Sequence, residues 1–177
     1  MMLDQQEFWV RLVGVLAFSA NMAGFVVVSE RKTKALLATS SAIWGLQYFL
    51  LGVHTGFLIM VLASVRQTIS VFTLKLPFAS RLGLSLLFTV LACLVAAWSW
   101  QGWLASALPL LATVMGTWAF FMLSNVAMRK ATMVSNLVWA LHAYLFNSWE
   151  LLAAMTLLTL ATLLGLYRIH RRTSLPV

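Results

Sequence analysis

Long apolar runs alternate with short polar breaks along the whole chain, and this pattern predicts transmembrane helices. A helix needs about 20 consecutive apolar residues to cross the hydrocarbon core of a bilayer, and seven runs approach or reach that length. The breaks are too short to form domains, so consecutive helices are expected to be antiparallel and close in space. The predicted spans are residues 8–28, 35–51, 57–74, 83–98, 104–123, 133–146 and 151–167.

Composition indicates that lipid, rather than water, is the solvent of these helices. Of the 177 residues, 62% are hydrophobic and 9% are charged, whereas a soluble domain has about 25% charged residues. The sequence therefore predicts an all-α integral membrane protein with a single membrane domain over residues 1–177. The lipid bilayer is its expected main partner.

The positions of the basic residues explain the net charge of +8 without a nucleic-acid partner. Lys and Arg occur in the first, third and fifth breaks and after the last span, while the second, fourth and sixth breaks contain none. Because cytoplasmic loops carry an excess of Lys and Arg, this alternation places the N-terminus outside and the C-terminus in the cytoplasm of a bacterial inner membrane. These basic residues are Arg31, Lys32, Lys34, Lys75, Arg81, Arg129, Lys130, Arg168, Arg171 and Arg172.

A shift of 95 residues superimposes the first three predicted helices on the last three. Trp44 then falls on Trp139, and a stripe of mostly small residues in the first helix meets a similar stripe in the fifth. The further matches are Phe25 with Phe120, Ser40 with Ser135, Gln47 with His142, and the stripe Gly14, Ala17, Asn21 and Gly24 with Pro109, Ala112, Gly116 and Ala119.

The shift predicts the duplication of a three-helix unit. Two units with an odd number of helices need one additional helix between them to share an orientation, and the fourth span has no counterpart. The sequence thus predicts a 3+1+3 arrangement with a first unit at residues 8–74, a linker helix at 83–100, a second unit at 103–169 and a cytoplasmic tail at 170–177. Parallel repeats are one transporter design, with the substrate site near the midplane between the repeats.

Six short motifs carry a family resemblance: GVLAF at 14–18, ERKTK at 30–34, YFLLG at 48–52, SVRQTI at 64–69, TWAFF at 117–121 and WALH at 139–142. Over residues of about 13–168 the chain resembles the YgjV-type bacterial inner-membrane proteins. That family looks related to the SWEET, PQ-loop and nicotinamide-riboside-transporter group. The resemblance implies a 3+1+3 small-solute transporter fold and supplies no substrate.

The chain departs from this family pattern at several positions. Ala143 stands where the family tends to have Asn after the His of the W-x-x-H motif, and Ala63, Thr159 and Thr162 stand where Asn is usual in the third and seventh helices. The PQ dipeptide of PQ-loop proteins is absent. These departures weaken the expectation of a sugar-type binding site.

Arg66 is the main candidate for function because it lies near the middle of the third predicted span. A charge at that depth costs about 2.5–3.5 kcal/mol on insertion scales, so it is expected to face a polar cavity or a partner. Two interpretations stay open. Arg66 either attracts and orients an anionic solute, or it is a structural anchor satisfied by backbone carbonyls or by Gln67, Ser70 and Asn21.

Aromatic residues near the midplane form a second set of candidates. Under the resemblance, Trp44 and Trp139 are expected to line a central cavity as a symmetric pair, with helix packing as the alternative. Gln47 and His142 follow them by one helical turn on the same face. His142 either binds solute or senses pH, or it is a buried His bonded to a neighbouring helix.

Uncharged polar residues complete the predicted solute-binding set. Asn21, Gln67, Thr159 and Thr162 either line a pore or satisfy the backbone of their own helices and join helices modestly.

These features favour a small-solute transporter that acts as a facilitator, with a midplane cavity between the repeats and a small polar or anionic solute. Proton or sodium coupling is not expected, because the four acidic residues lie outside the spans. The alternative is a non-transporting sensor or an assembly partner. No catalytic motif, metal-ligand pattern or cofactor pattern is present, so an enzyme is not expected, and a homo-oligomer is left open.

Overall fold

Seven α-helices make up the computed structural model, which describes residues 2–52, 54–100 and 102–173. A short 3-10 helix, Thr73–Lys75, follows the third, and a π-helical turn, Trp103–Ala107, precedes the fifth. No strand occurs among the described residues. The helices are α1 Met2–Val26, α2 Glu30–Leu50, α3 His54–Phe72, α4 Phe78–Trp98, α5 Leu108–Met122, α6 Asn125–Leu145 and α7 Trp149–Thr173.

The all-helical class and the number of helices agree with the prediction. Four segments are long and apolar enough to cross a membrane by length and composition: Glu7–Val26, Phe78–Trp98, Trp103–Met122 and Leu151–Arg172. Large apolar side chains such as Phe72, Trp98 and Trp103 are at least 70% exposed. An apolar surface of this kind marks contact with lipid or with protein partners.

Several helices are longer than the apolar runs predict. The breaks around Arg31 and Arg129 were predicted as loops, but α2 begins at Glu30 and α6 begins at Asn125. Similarly, α4 begins at Phe78, and α7 continues through residues 170–173 of the predicted tail. Hydropathy marks only the part of a helix that lies in hydrocarbon, whereas the backbone stays helical for further turns. Residues 174–177 of the predicted tail lie outside the described residues.

Helix packing follows the same order in the two halves of the chain. The helix α2 packs on both α1 and α3, and α6 packs on both α5 and α7. The halves meet where α1 packs on α7 and, less extensively, where α3 packs on α5; we call these the α1–α7 seam and the α3–α5 seam. The helix α4 packs mainly on α5.

The buried apolar core lies where the two halves meet. It contains residues from α1, α2, α5, α6 and α7, and Phe18 and Met22 pack against it. The core residues are Phe25, Leu37, Ala119, Phe120, Met128, Leu158 and Ala161.

Candidate functional site

Arg66 bridges the α3–α5 seam. Its side chain comes from the apolar helix α3, and Arg66 is only 7% exposed. The Nη1 atom donates hydrogen bonds to the Thr113 carbonyl at 3.1 Å and to the Thr117 hydroxyl at 2.8 Å. The guanidinium also lies 5.5 Å from the ring centroid of Phe120. Three groups of α5 therefore hold the charge.

The sequence of α5 is suited to receiving this side chain. Thr113, Gly116 and Thr117 are spaced so that they lie on one face of the helix. A Cβ at Gly116 would lie 3.7 Å from a guanidinium nitrogen of Arg66, so the small residue leaves room for the planar group. The Nε atom of Arg66 is buried and has no hydrogen-bond partner among the described residues. The described ion pairs, Arg11–Glu7 and Lys34–Glu30, do not include Arg66.

The structural alternative for Arg66 named backbone carbonyls or the side chains of Gln67, Ser70 and Asn21. The bond to the Thr113 carbonyl fits the first part, whereas no described bond joins Arg66 to the three side chains. Gln67 accepts a hydrogen bond from the Ser41 hydroxyl at 2.9 Å, which joins α2 to α3. Ser70 donates to the Gln67 carbonyl at 2.7 Å. Asn21 is half-buried on α1, and its Oδ1 atom has no hydrogen-bond partner among the described residues.

The hydroxyl groups of Thr159 and Thr162 form hydrogen bonds within their own helix. Each hydroxyl donates to a carbonyl four residues earlier on α7, at 2.8 Å, so both bonds are local. Gln47 joins α2 to α1 through a 3.0 Å hydrogen bond to the Val10 carbonyl and packs over Gly14.

The aromatic candidates are arranged along α2 and α6. Trp44 and Trp139 are both half-buried. The ring of Trp139 meets His142 edge-on at 5.7 Å between centroids, and His142 also contacts the ring of Phe146 at 4.7 Å. The described contacts of Arg66 are thus with α5, while the ring contacts of His142 are with Trp139 on α6 and with Phe146 directly after that helix.

Lys34 and Arg129 are buried basic residues that the sequence analysis placed in loops. Lys34 is 2% exposed, and its Nζ donates to the Phe120 carbonyl at 2.8 Å and pairs with Glu30 at 2.9 Å. Because the last carbonyls of a helix lack intrahelical partners and carry negative partial charge, a cation near the end of α5 is stabilised there.

Arg129 makes the corresponding contact with the end of α1. It is fully buried, and Nη1 donates to the Phe25 carbonyl while Nη2 donates to the Val27 carbonyl. It also donates to the Thr33 hydroxyl at 2.5 Å and to Asn125 Oδ1 at 3.0 Å.

These two contacts are reciprocal. Lys34 and Arg129 are 95 positions apart in the chain, and so are their acceptors Phe25 and Phe120. We call the pair of contacts, Lys34 to the Phe120 carbonyl and Arg129 to the Phe25 carbonyl, the crossed clamp. The sequence alone indicated this correspondence, because the 95-residue shift aligns the basic residue Lys34 with the basic residue Arg129.

Two cavities lie at the end of the molecule that carries the α1–α2 and α5–α6 connections; we call this end the basic face. The first has a volume of about 580 Å³ and is lined by Val26, Val27, Val28, Ser29, Lys32, Arg168, Arg171 and Arg172. The second, of about 300 Å³, is lined by Glu30, Lys34, Thr73, Arg81, Phe121, Met122, Leu123 and Ser124. Neither is lined by a residue predicted to bind solute. Among the described residues, no group of three or more His, Cys, Asp or Glu could hold a metal ion.

Comparison with known proteins gives the family of the chain. Residues 8–173 match the model of the Imp-YgjV family, described as a bacterial inner membrane protein. The chain is 28% identical over 132 residues to the inner membrane protein YgjV of Escherichia coli (strain K12), which covers 75% of this chain and 68% of that protein. No solved structure is significantly similar to this chain. Because the family model spans almost the whole helical region, the chain belongs to the YgjV family of bacterial inner membrane proteins.

Proposed function

We propose that this protein is a small-solute transporter built from two like-oriented three-helix units, residues 8–74 and 103–169, with α4 as the linker helix between them. The observation that carries this proposal is the crossed clamp. In a two-fold arrangement, a contact from position i of one unit to position j of the other is repeated in reverse. Lys34 and Arg129 repeat their contacts in this way across the two units.

Contacts inside the two units support the same duplication. Ser40 donates to the Ala17 carbonyl at 2.7 Å, and Ser135 donates to the Ala112 carbonyl at 3.0 Å. Both the donors and the acceptors are related by the 95-residue shift. A Ser hydroxyl thus ties the second helix of each unit to the first, and parallel repeats of this kind are a known transporter design.

The two seams between the units differ in chemistry, which suggests where a solute path lies. Under the shift, Ala161 and Gly165 of the α1–α7 seam correspond to Arg66 and Ser70 on α3. A Cβ at Gly165 would clash with the Phe25 carbonyl oxygen, so α7 approaches α1 closely there. The α3–α5 seam packs less extensively and carries a charge. This contrast supports a solute path at the α3–α5 seam.

Arg66 supplies the selectivity in this proposal. An unpaired guanidinium in the apolar interior costs several kcal/mol unless water, a polar cavity or an anion reduces that cost. Arg66 has an unpartnered Nε and no carboxylate in its described ion contacts. An anionic or zwitterionic solute that enters the α3–α5 seam would complete its hydrogen bonding. Because the corresponding residue is the apolar Ala161, a solute would bind in one orientation.

The crossed clamp would act as the gate at the basic face. It holds the ends of α1 and α5 against the opposite units, which would close the protein on that face. Opening requires that Lys34 and Arg129 exchange their carbonyl acceptors for water. The described helices hold no carboxylate paired with Arg66, which supports facilitated diffusion over coupling through an acidic residue.

Solute-induced stabilisation followed by transport tests the proposal. Purified full-length protein is screened for a rise in Tm with small anionic and zwitterionic metabolites, since a ligand that binds the folded state stabilises it by mass action. Compounds that raise Tm are then tested for uptake into proteoliposomes, with and without a proton or sodium gradient. We expect at least one compound to be taken up saturably and without a gradient.

A non-transporting sensor or assembly partner is the second candidate function. It is favoured by the bonding of Thr159 and Thr162. Both were predicted to bind solute, but their hydroxyl groups already donate to carbonyls of α7. Stabilisation by a compound that is not taken up would favour a sensor. A panel that neither stabilises the protein nor enters the vesicles would reject the transporter and favour an assembly partner.

A further inference from the structure

The larger cavity at the basic face has a markedly cationic lining. Its volume of about 580 Å³ lies within the range of roughly 300–1,000 Å³ typical of ligand sites. The connection 26–29 forms one wall, and Lys32, Arg168, Arg171 and Arg172 contribute the charge. Among the described residues that line it, none is acidic.

The second cavity is its counterpart and provides an internal comparison. Its wall at residues 121–124 is the 95-residue equivalent of 26–29, and Thr73 is the equivalent of Arg168. Its charged lining is mixed, however, with Glu30 beside Lys34 and Arg81. The positions equivalent to the four basic residues of the larger cavity are Ala127, Thr73, Leu76 and Pro77.

The position of the cavity on the predicted cytoplasmic face does not by itself account for its cationic lining. Basic residues are expected anywhere on a cytoplasmic face, and that rule does not require four of them to line one cavity while its counterpart has two basic residues beside an acidic one. The duplication does not explain them either, because none of the four equivalents is charged. The cationic lining is thus a feature of the larger cavity itself.

The wall of the larger cavity also has its carbonyl groups engaged elsewhere. The Val27 carbonyl accepts from Arg129, and the Val28 carbonyl accepts from Asn125 Nδ2 at 2.8 Å. Both donors belong to α6. Because these carbonyl oxygens bond to α6, their partial negative charge is offset, which favours an anion in the cavity.

We propose that this cavity binds a phosphate-bearing anion. Arginine matches phosphate oxygens with two parallel hydrogen bonds, and basic pockets between transmembrane helices on the cytoplasmic side bind lipid head groups. The ligand chemistry is a phosphate ester, supplied either by the head group of an anionic phospholipid or by a free phosphate compound. This site is separate from Arg66 and does not depend on the transporter proposal.

The test uses the full-length protein, purified in detergent without anionic lipid. Apparent Kd values are obtained from the concentration dependence of Tm for dioctanoyl phosphatidylglycerol, dioctanoyl phosphatidylcholine, glycerol 3-phosphate and inorganic phosphate. The double variant Lys32→Gln, Arg168→Gln should weaken phosphatidylglycerol binding roughly 30-fold, from the contribution of each basic residue near an anionic head group.

The matched control is the double variant Arg31→Gln, Lys130→Gln, which removes two exposed charges that do not line the cavity. It should change the affinity less than about threefold, because screening limits the effect of distant exposed charges. If the first variant does not fold, the pair Arg168→Gln, Arg172→Gln replaces it.

The choice of test ligands distinguishes a phospholipid head group from a free phosphate compound. Binding of phosphatidylglycerol without binding of glycerol 3-phosphate or inorganic phosphate assigns the site to a lipid, whereas binding of the free compounds assigns it to a soluble phosphate. Equal binding of phosphatidylcholine, or an equal loss of affinity in the cavity and control variants, would overturn the proposal.

Discussion

Buried basic side chains lie in two kinds of surroundings in this protein. Arg66 is held by a carbonyl, a hydroxyl and an aromatic ring of one neighbouring helix. Lys34 and Arg129 bond to carbonyls at or just beyond helix ends, where unsatisfied oxygens stabilise a cation. The helix ends therefore accommodate their charges more fully than the α3–α5 seam accommodates Arg66, whose Nε stays without a partner among the described residues.

Substitution of Arg66 tests its part in solute selection. Arg66→Ala should lower uptake per folded molecule by about tenfold or more, since a lost charge-assisted hydrogen bond is worth about 1.5–3 kcal/mol. Arg66→Lys keeps the charge without the planar fork and should retain more uptake. The measurement is proteoliposome uptake of a stabilising compound, normalised to folded protein.

Thr159→Ala is the control for this series, because its hydroxyl bonds only within α7. It should leave uptake nearly unchanged. An Arg66→Ala protein with a reduced folded yield but unchanged normalised uptake would make Arg66 a structural anchor.

The two halves of the crossed clamp should differ in their contribution to stability. Arg129→Met leaves the Phe25 carbonyl and the Thr33 hydroxyl without the donor they have, and takes from the Val27 carbonyl one of its two donors. It should lower the free energy of unfolding by about 3 kcal/mol or more. Lys34→Met removes one donor from the Phe120 carbonyl and the ion-pair partner of Glu30, which is partly exposed to solvent, and should cost less.

Reversible unfolding in mixed micelles measures both variants. Lys130→Met, which alters an exposed neighbour of Arg129, should stay within about 0.5 kcal/mol of the parent. A larger loss for Lys34→Met than for Arg129→Met would contradict this assignment of bonds.

At the scale of the helices, the close approach of α1 and α7 depends on a residue without a side chain. A Cβ at Gly165 would meet the Phe25 carbonyl and the Arg129 guanidinium, which are bonded to each other. Neither can move aside without disturbing the crossed clamp. The α1–α7 seam is therefore sterically coupled to the basic face.

Gly165→Ala should accordingly destabilise the protein by about 1–3 kcal/mol, the usual cost of an overpacked contact. Gly83→Ala is the matched control, because a Cβ at Gly83 in α4 would have nothing within 4 Å. That substitution should be neutral or stabilising, since Ala has the higher helix propensity. Equal unfolding free energies for the two variants would show that α7 can move away from α1 at little cost.

At the scale of the whole molecule, the orientation in the membrane is predicted from the basic residues. Apart from Arg11 and Arg66, they lie at the ends of α1, α3, α5 and α7 and in the helices that start there, while the opposite connections contain no Lys or Arg. The location in a bacterial inner membrane agrees with the family of the chain. The predicted orientation has the N-terminus outside and the C-terminus in the cytoplasm.

Cysteine labelling measures this orientation directly. The parent is made free of thiols by Cys93→Ala, and Trp100→Cys and His170→Cys are labelled singly with an impermeant reagent in intact cells. Both positions are exposed. Trp100→Cys should react from outside and His170→Cys only after lysis. Reaction of both from the same side would reject a topology with seven membrane-spanning helices.

Local properties of the sequence were sufficient for the fold class and the family. Apolar runs set the number of helices because a buried backbone in lipid must bond within its own segment. The ends of the helices could not be derived in this way, since the first turns of α2 and α6 contain basic residues that hydropathy assigns to loops. The predicted importance of Arg66 rested on its cost in hydrocarbon, which is also a local property.

Only the tertiary structure decided which partners the charges have. Thr113 and Thr117 lie next to Arg66 because α5 packs on α3, and no spacing along the chain specifies that packing. Lys34 and Arg129 appear as loop charges in the sequence, yet both are buried at the ends of helices from the other half. Hydropathy records the preference of one segment for lipid, whereas the burial of a charge depends on an acceptor that a distant segment brings to it.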